Sequence, residues 1–390
     1  MTNHNNNYNH HLLMNLRVLV GNGRIGLSKI ESEDVKTKST NRLEMNKGYT
    51  NNHFYINVPY AGKNLNWELI FHPEDIFEPP DFDFNDYSFL PEPNIDFIAE
   101  KIPSWASWNL SNSDSVYNIL NEFLSLYKET QIHKLMTQTN CGNLRDQYEQ
   151  ILLKLNISQN KVEIHVESKN EFEQNEISDD LVSIRFLIEL PIDFTQLPEY
   201  CLGDEGTLVN AGEEFVHLEL QFKKLNASPI KIALHLSPNV ETAIGKIKLP
   251  KFTKDMGIAE YVSSVEVAIN NQIKEVAEQY KERGLFVSAV VNSFSSSIIE
   301  YDASKFYKVC FVFEECEDFD CLVTVQLGGR FPHDRPRVQV QSLCCQIDKS
   351  CSTPVIFHSF NPNVSGDENM ASLREVLRDD IKTFQKHRHH

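Results

Sequence analysis

The chain has 390 residues, of which 41% are apolar and 24% charged. That is enough to bury a core in two or three domains of about 150 residues each. A formal net charge of −18 argues against a reader of duplex nucleic acid, which needs clustered Lys and Arg against the phosphates. No apolar run of about 18 residues is present to span a bilayer, and the opening MTNHNNNYNHH lacks the basic-then-apolar order of a secretory signal.

Residues 1–11, rich in Asn and His, read as a disordered tail. Leu12 to Val20 predicts a short helix, and Lys29 to Tyr49 a polar loop or weak strand. Phe54 to Val58 alternates as a strand does. Tyr60 to Asn64 then reads as a turn and Leu65 to Phe71 as the returning strand, which makes a hairpin. Pro79-Pro80 cannot sit inside a paired strand, so the chain turns there. Phe82 and Phe84 follow on one face of a third strand. Trp105 and Trp108 in IPSWASWNLSN are bulky enough to fill the space between sheet and helix, and Ser113 or Asp114 offers an N-cap. Val116, Ile119, Leu120, Phe123, Leu124 and Tyr127 mark one apolar face of the next helix. Tyr60, Pro79, Pro80 and the two tryptophans are expected in the core or in turns.

A second helix is expected near Leu144 to Leu155. Strand-like runs then cover Val162 to Val166, Val182 to Leu190, Phe215 to Phe222 and Ile230 to Leu236. Val262, Val265, Ile269, Ile273, Val276 and Tyr280 stripe a further helix. A third set comprises strands at Ile298 to Tyr301, Tyr307 to Phe313, Cys321 to Leu327 and Arg337 to Leu343, broken by Phe331-Pro332 and Pro336. Met370, Leu373, Val376, Leu377 and Ile381 stripe a final helix, whose apolar face must bury against its own sheet or a partner. Grouped strands followed by grouped helices indicate an α+β fold of antiparallel meanders with flanking helices. Strand, proline turn and strand recur as FHPEDIFEPPDFDF, LPIDFTQLPEY and LGGRFPHDRPRVQV, so the chain reads as three tandem modules, 12–140, 141–284 and 285–386.

Charge is uneven. From His72 to Glu100 there are nine Asp or Glu and no Lys or Arg, a face suited to basic protein partners or simply to solvent. Asp81 and Asp83 read as solvated surface acids. The eight cysteines lack CxxC pairs, and reduced thiols are expected without a secretory signal. Cys344, Cys345, Cys351 and His358 are poorly spaced for a tetrahedral zinc site. No phosphate-binding glycine loop occurs. HRHH at His387 to His390 reads as a frayed terminus. No cofactor and no metal are expected.

VPYAGKNLNWELIFHPEDIFEPPDFDF, FLPEP, SWNLSN, LPIDFTQLPEY, LHLSPNVETAIGK and IEYDA together resemble the brain and reproductive organ-expressed (BRE) family. The resemblance runs from about residue 14 to about residue 386, and it is weakest in the N-terminal tail and from Phe357 to Gly366. It implies tandem ubiquitin-conjugating-enzyme-variant (UEV/RWD-like) modules, which keep the conjugating-enzyme fold without its catalytic cysteine. It also implies a scaffold of the BRISC deubiquitinase complex and its DNA-damage counterpart. Such a scaffold joins a JAMM zinc deubiquitinase and an Abraxas-type pseudo-protease to a VWA-domain adaptor, in cytoplasm and nucleus, with ubiquitin a further binding partner.

An active conjugating enzyme is the rival from another class. It needs a thiolate shortly after an asparagine-bearing turn. No cysteine lies between Pro80 and Trp108. Cys201 follows Pro198 too closely, and in the third module Cys344, Cys345 and Cys351 all precede Phe360-Asn361-Pro362-Asn363, which resembles such a turn, and no cysteine follows it. An endosomal-sorting UEV adaptor that recognises proline-rich peptides is the rival among binding proteins. For any such groove the candidate partner-binding residues are Phe331, Pro332, Arg335, Pro336 and Phe360, set against their role as the turn that lets the third module fold.

Overall fold

In the computed structural model the described strands within each sheet are ordered as they are in sequence, so the α+β architecture is built of antiparallel meanders with flanking helices. The structure describes residues 2–21, 24–37, 53–72, 75, 78–137, 141–168, 181–202, 214–223, 228–314, 320–343 and 352–386. The expectations placed on 38–52, on Cys316, Cys344, Cys345 and Cys351, and on His387 to His390 lie outside the described residues.

Helix α1 (Thr2–Gly21) begins well before Leu12 and takes in nearly all of the stretch expected as a disordered tail. Leu12, Leu16 and Leu19 are buried on one face. Once they nucleate the helix, further turns add bonds at little cost, even through polar residues. Strands β1 (Arg24–Ile25) and β2 (Ser28–Lys29) form a small ribbon. The first large sheet has the order β3 (Val35–Thr37), β4 (His53–Tyr60), β5 (Lys63–Ile70), β6 (Asp81–Asp83). Along β4 the alternation buries Phe54, Ile56, Val58 and Tyr60. Tyr60 and Lys63 are paired strand residues, so the turn is only Ala61-Gly62, with φ of +47° and +73°. Positive φ at both central residues matches the right-handed twist of the flanking strands.

Helices α2 (Ile95–Lys101), α3 (Pro103–Ala106) and α4 (Ser115–Thr137) follow. Phe82 and Phe84 stack against each other and reach Phe123 of α4, with ring centroids 4.6 and 5.0 Å from it. Trp105 and Trp108 pack half-buried on the same core. The first turn of α4 is fastened from a distance: the Val116 N–H donates to Asn15 Oδ1 at 3.1 Å, and Asn15 Nδ2 donates to the Leu110 carbonyl at 3.0 Å.

Helix α5 (Gly142–Lys154) leads to the second sheet, made of β7 (Val162–Ser168), β8 (Leu181–Glu189), β9 (Val216–Lys223) and β10 (Lys231–Leu236) in sequence order. Two short helices, α6 (Glu199–Leu202) and α7 (Pro238–Ile244), flank β9 and β10 in sequence, and α8 (Ile258–Ser293) runs for 36 residues. The third sheet is β11 (Ile298–Tyr301), β12 (Lys308–Phe313), β13 (Cys321–Gln326), β14 (Arg337–Ser342) and β15 (Ser352–Val355), followed by α9 (Gly366–Lys386). Strand β15 is absent from the sequence reading. Its Pro354 is tolerated because β15 is an edge, where a missing N–H breaks no ladder.

The chain divides into two compact units. The first comprises the residues through Pro191, Phe215–Leu236 and Pro250–Glu266, and so holds the first and second sheets. The second comprises Ile192–Glu214, Ser237–Leu249 and Val267 onward. The expected boundary at 284/285 falls inside α8. In the second unit Phe311, Phe313, Val323, Val325, Val338 and Val340 from the sheet share a core with Phe286, Val290 and Phe294 of α8. Met370, Leu373, Leu377 and Ile381 of α9 complete it, so that stripe buries against its own sheet.

Candidate functional site

The second sheet has two unlike faces. Val162, Ile164, Val166, Ile184, Phe186, Ile188, Val216, Leu218, Leu220 and Phe222 are apolar and buried on one. The opposite face, by the period of two, carries Glu163, His165 and Glu167 of β7, Ser183, Arg185 and Glu189 of β8, His217, Glu219 and Gln221 of β9, and Lys231 and His235 of β10. Register aligns Glu163, Leu187 and Glu219 in one row and His165, Arg185, Gln221 and Lys231 in the next. Such a row would ordinarily face water. Here Glu163 and Glu219 are each only 1% exposed.

The turns of the first sheet and of the small ribbon cover them. Glu163 Oε1 accepts from the Leu27 N–H and Oε2 from the Ala61 N–H, both at 2.8 Å. The Tyr60 hydroxyl donates to the Ile164 carbonyl at 2.9 Å, and Lys63 Nζ meets Glu167 at 2.5 Å. Two glycines make this approach possible. A Cβ on Gly26 (φ +60°) would come 2.6 Å from Glu163 Oε1, and one on Gly62 (φ +73°) would come 2.9 Å from the Glu219 carboxyl carbon.

Charge is balanced locally. Burial pushes the Glu163 pKa up, and the two amide bonds pull only part of the way back. Burial also opposes ionisation of Glu219, but Lys231 at 2.8 Å and His235 at 2.9 Å outweigh it and leave its pKa lowered. Glu189 is held down to about 2 by His217, Arg24 and Lys161. The Arg24 guanidinium reaches it at 2.6 Å while resting on the Phe215 ring, 4.2 Å from its centroid. A second thread runs through α4. The Tyr127 hydroxyl lies 3.3 Å from Asp86 Oδ2 and 3.4 Å from His165 Nδ1. Burial, then the nearby Lys63, drives the His165 pKa down to about 4. The fully buried Gln131 accepts from the Val166 N–H at 2.9 Å.

This arrangement fastens two sheets; it does not present a nucleophile. Among the described residues Cys141, Cys310 and Cys321 are buried and Cys201 is half-buried. Burial raises the Cys141 and Cys201 pKa values, away from the thiolate. The asparagine turn is structural: Asn369 of α9 accepts from the Asn361 N–H at 3.1 Å and donates to the Asn361 carbonyl at 2.9 Å. No group of three His, Cys, Asp or Glu is close enough among the described residues to hold a metal ion.

The five residues named for a partner groove lie in the second unit. Phe331 and Phe360 are 2% and 8% exposed, with rings 5.5 Å apart, and Phe286 of α8 packs on both. Pro336 is buried, Pro332 is half-buried after a cis peptide, and Arg335 is exposed. The two rings thus point into the core, and Arg335 meets solvent. The charged junction of the first unit is absent from the sequence reading. Its signal was there: acids and histidines at every second position of strands that are otherwise apolar, EIHVE, SIRFLIE and VHLELQF.

The profile of the brain and reproductive organ-expressed protein (BRE) family matches residues 6–345. A Danio rerio protein named BRISC and BRCA1-A complex member 2 is 29% identical over 384 residues, spanning 94% of this chain and 92% of its own. A Branchiostoma floridae protein of the same name is 29% identical over 375 residues, spanning 94% of this chain and 91% of its own. With its fold described and the match covering most of its length, the chain belongs to the BRE family.

Proposed function

We propose that the chain is a non-catalytic scaffold subunit of a BRISC-like complex in which a JAMM-type deubiquitinase removes signalling-type ubiquitin chains. It holds the deubiquitinase and its Abraxas-type partner to a VWA-domain adaptor, and the zinc chemistry belongs to the deubiquitinase. The carrying observation is similarity over 94% of the chain to proteins named as members of the BRISC and BRCA1-A complexes. Two features of the chain support a scaffold. Its buried acids lock two sheets into one unit, which suits a platform with fixed surfaces, and its described thiols are buried or half-buried. The three sheets correspond to three UEV-like modules, ubiquitin is a further ligand, and the protein works in cytoplasm and nucleus. No helix among the described residues is long and apolar enough to cross a membrane.

Affinity purification of the tagged chain from its own cells, read by mass spectrometry, tests this. A JAMM deubiquitinase and a VWA-domain protein should co-purify in stoichiometric amounts. Recovery of endosomal-sorting subunits in their place would overturn it. So would a reducible ubiquitin thioester formed on the purified chain with activating enzyme and ATP.

A further inference from the structure

Lys246, Lys248, Lys251 and Lys254 lie between Glu241 and Asp255 with no acid among them. In a chain of formal net charge −18 this is a local reversal of sign. All four are exposed, and among the described residues none has a hydrogen bond or an ion-pair partner within 4.0 Å.

The backbone of the first two lysines is open as well. Lys246 to Leu249, all in the second unit, follow α7 and belong to no strand. Yet Lys246 and Lys248 are exposed while Ile247 and Leu249 are half-buried, the period of two of an extended segment. The flanking residues are fastened: the Gly245 N–H donates to the Glu241 carbonyl at 2.9 Å, and the Tyr261 hydroxyl donates to the Pro250 carbonyl at 3.1 Å. Between them no N–H or carbonyl of Lys246, Ile247, Lys248 or Leu249 has a partner among the described residues.

Open N–H and C=O groups along an extended backbone are a template for another strand. Lysines on such an edge discourage neutral or basic strands and leave an acidic one, because opposite charges attract across a strand pair and like charges repel. Nucleic acid fits less well: its phosphates accept hydrogen bonds and donate none, so the open carbonyls would stay unmatched.

We propose that Lys246 to Leu249 pairs with an extended acidic segment of a partner protein, whose alternate carboxylates face Lys246 and Lys248. This goes beyond the scaffold reading and does not rest on it, since its test uses a synthetic peptide and no other subunit.

Fluorescence anisotropy of the full chain with a fluorescein-labelled octapeptide alternating glutamate and valine tests it. Saturable binding is expected, weakening as salt is raised. The double variant Lys246→Glu, Lys248→Glu should lower the affinity at least about tenfold. Lys274→Glu, at an exposed lysine of α8, should leave it unchanged. A peptide of the same sequence N-methylated at alternate residues keeps its charge but loses backbone donors, and should bind about tenfold more weakly. Thermal melts establish that the variants are folded. The proposal is overturned by no saturable binding, by equal affinity in the folded double variant, by an equal loss in Lys274→Glu, or by undiminished binding of the N-methylated peptide. Tighter binding of a lysine–valine peptide or of a single-stranded oligonucleotide would overturn it too.

Discussion

Glu163 Oε2 accepts a hydrogen bond from the Ala61 N–H at 2.8 Å, joining residues 102 positions apart. Its other oxygen takes the Leu27 N–H. One buried carboxylate therefore ties the hairpin of the first sheet and the turn of the small ribbon to the second sheet.

Removing that carboxylate should be costly. Glu163→Ala leaves two buried amides without acceptors, at about 1–3 kcal/mol each. Glu163→Gln keeps one acceptor oxygen, so its loss should be roughly half as large. Urea denaturation of the three proteins checks the order; equal midpoints for wild type and Glu163→Ala would refute the tie.

The approach of Gly62 to Glu219 makes a second prediction. Gly62→Ala adds a Cβ 2.9 Å from the Glu219 carboxyl carbon at a φ of +73°. The left-handed backbone alone costs about 1–2 kcal/mol, and the clash adds to it. In a double-mutant cycle with Glu219→Ala, which removes the obstructing carboxylate, part of the loss should be recovered as a coupling of about 0.5–3 kcal/mol.

Stability should depend on pH through His165. Its pKa falls from 6.5 unfolded to about 4 folded, because burial and Lys63 disfavour the imidazolium. A depressed histidine contributes stability that is complete above its unfolded pKa. Below pH 6.5 the unfolded chain takes up the proton first, so stability drops until the folded pKa near 4 is passed. The loss is at most about 3 kcal/mol, reduced by solvent screening at this half-buried ring. Thermal melts between these limits should show the fall, and His165→Gln should flatten it. The contribution of Glu189 is lost in a lower window, from 4.5 toward 2, as its paired carboxylate is protonated.

Asn15 is fully buried and serves α1, the Leu110 carbonyl and the first turn of α4 together. Asn15→Ala should cost about 2–3 kcal/mol, combining a lost cap with an unpaired carbonyl. Hydrogen exchange at the Val116 amide should rise before exchange elsewhere in α4.

In the second unit the partner-groove candidates should separate by burial. Phe331→Ala opens a core cavity and should destabilise by about 3–5 kcal/mol. Arg335→Ala, at an exposed position, should leave the melting temperature within error. If Arg335 meets a partner, its variant weakens co-purification without loss of fold; a melting temperature lowered as far as in Phe331→Ala would place Arg335 in the folding turn instead.

Local periodicity determined much of this protein. The alternation over β4, β7 and β12, the stripes of α4 and α9, the proline breaks and the α+β class are written in neighbouring residues, because strand and helix repeats are set within a few positions. The family resemblance lay in the same stretches. Tertiary structure decided the rest. Alternating acids on β7 and β9 look like a solvent face until the turns at Gly26 and Gly62 close over them, and that closure joins two expected modules into one unit. Asn15 caps a helix 101 residues away, Leu12, Leu16 and Leu19 extend α1 back through polar residues, and Phe331 and Phe360 turn inward onto Phe286. In each case the deciding partner is far along the chain, and whether a charge or ring is buried depends on what covers it.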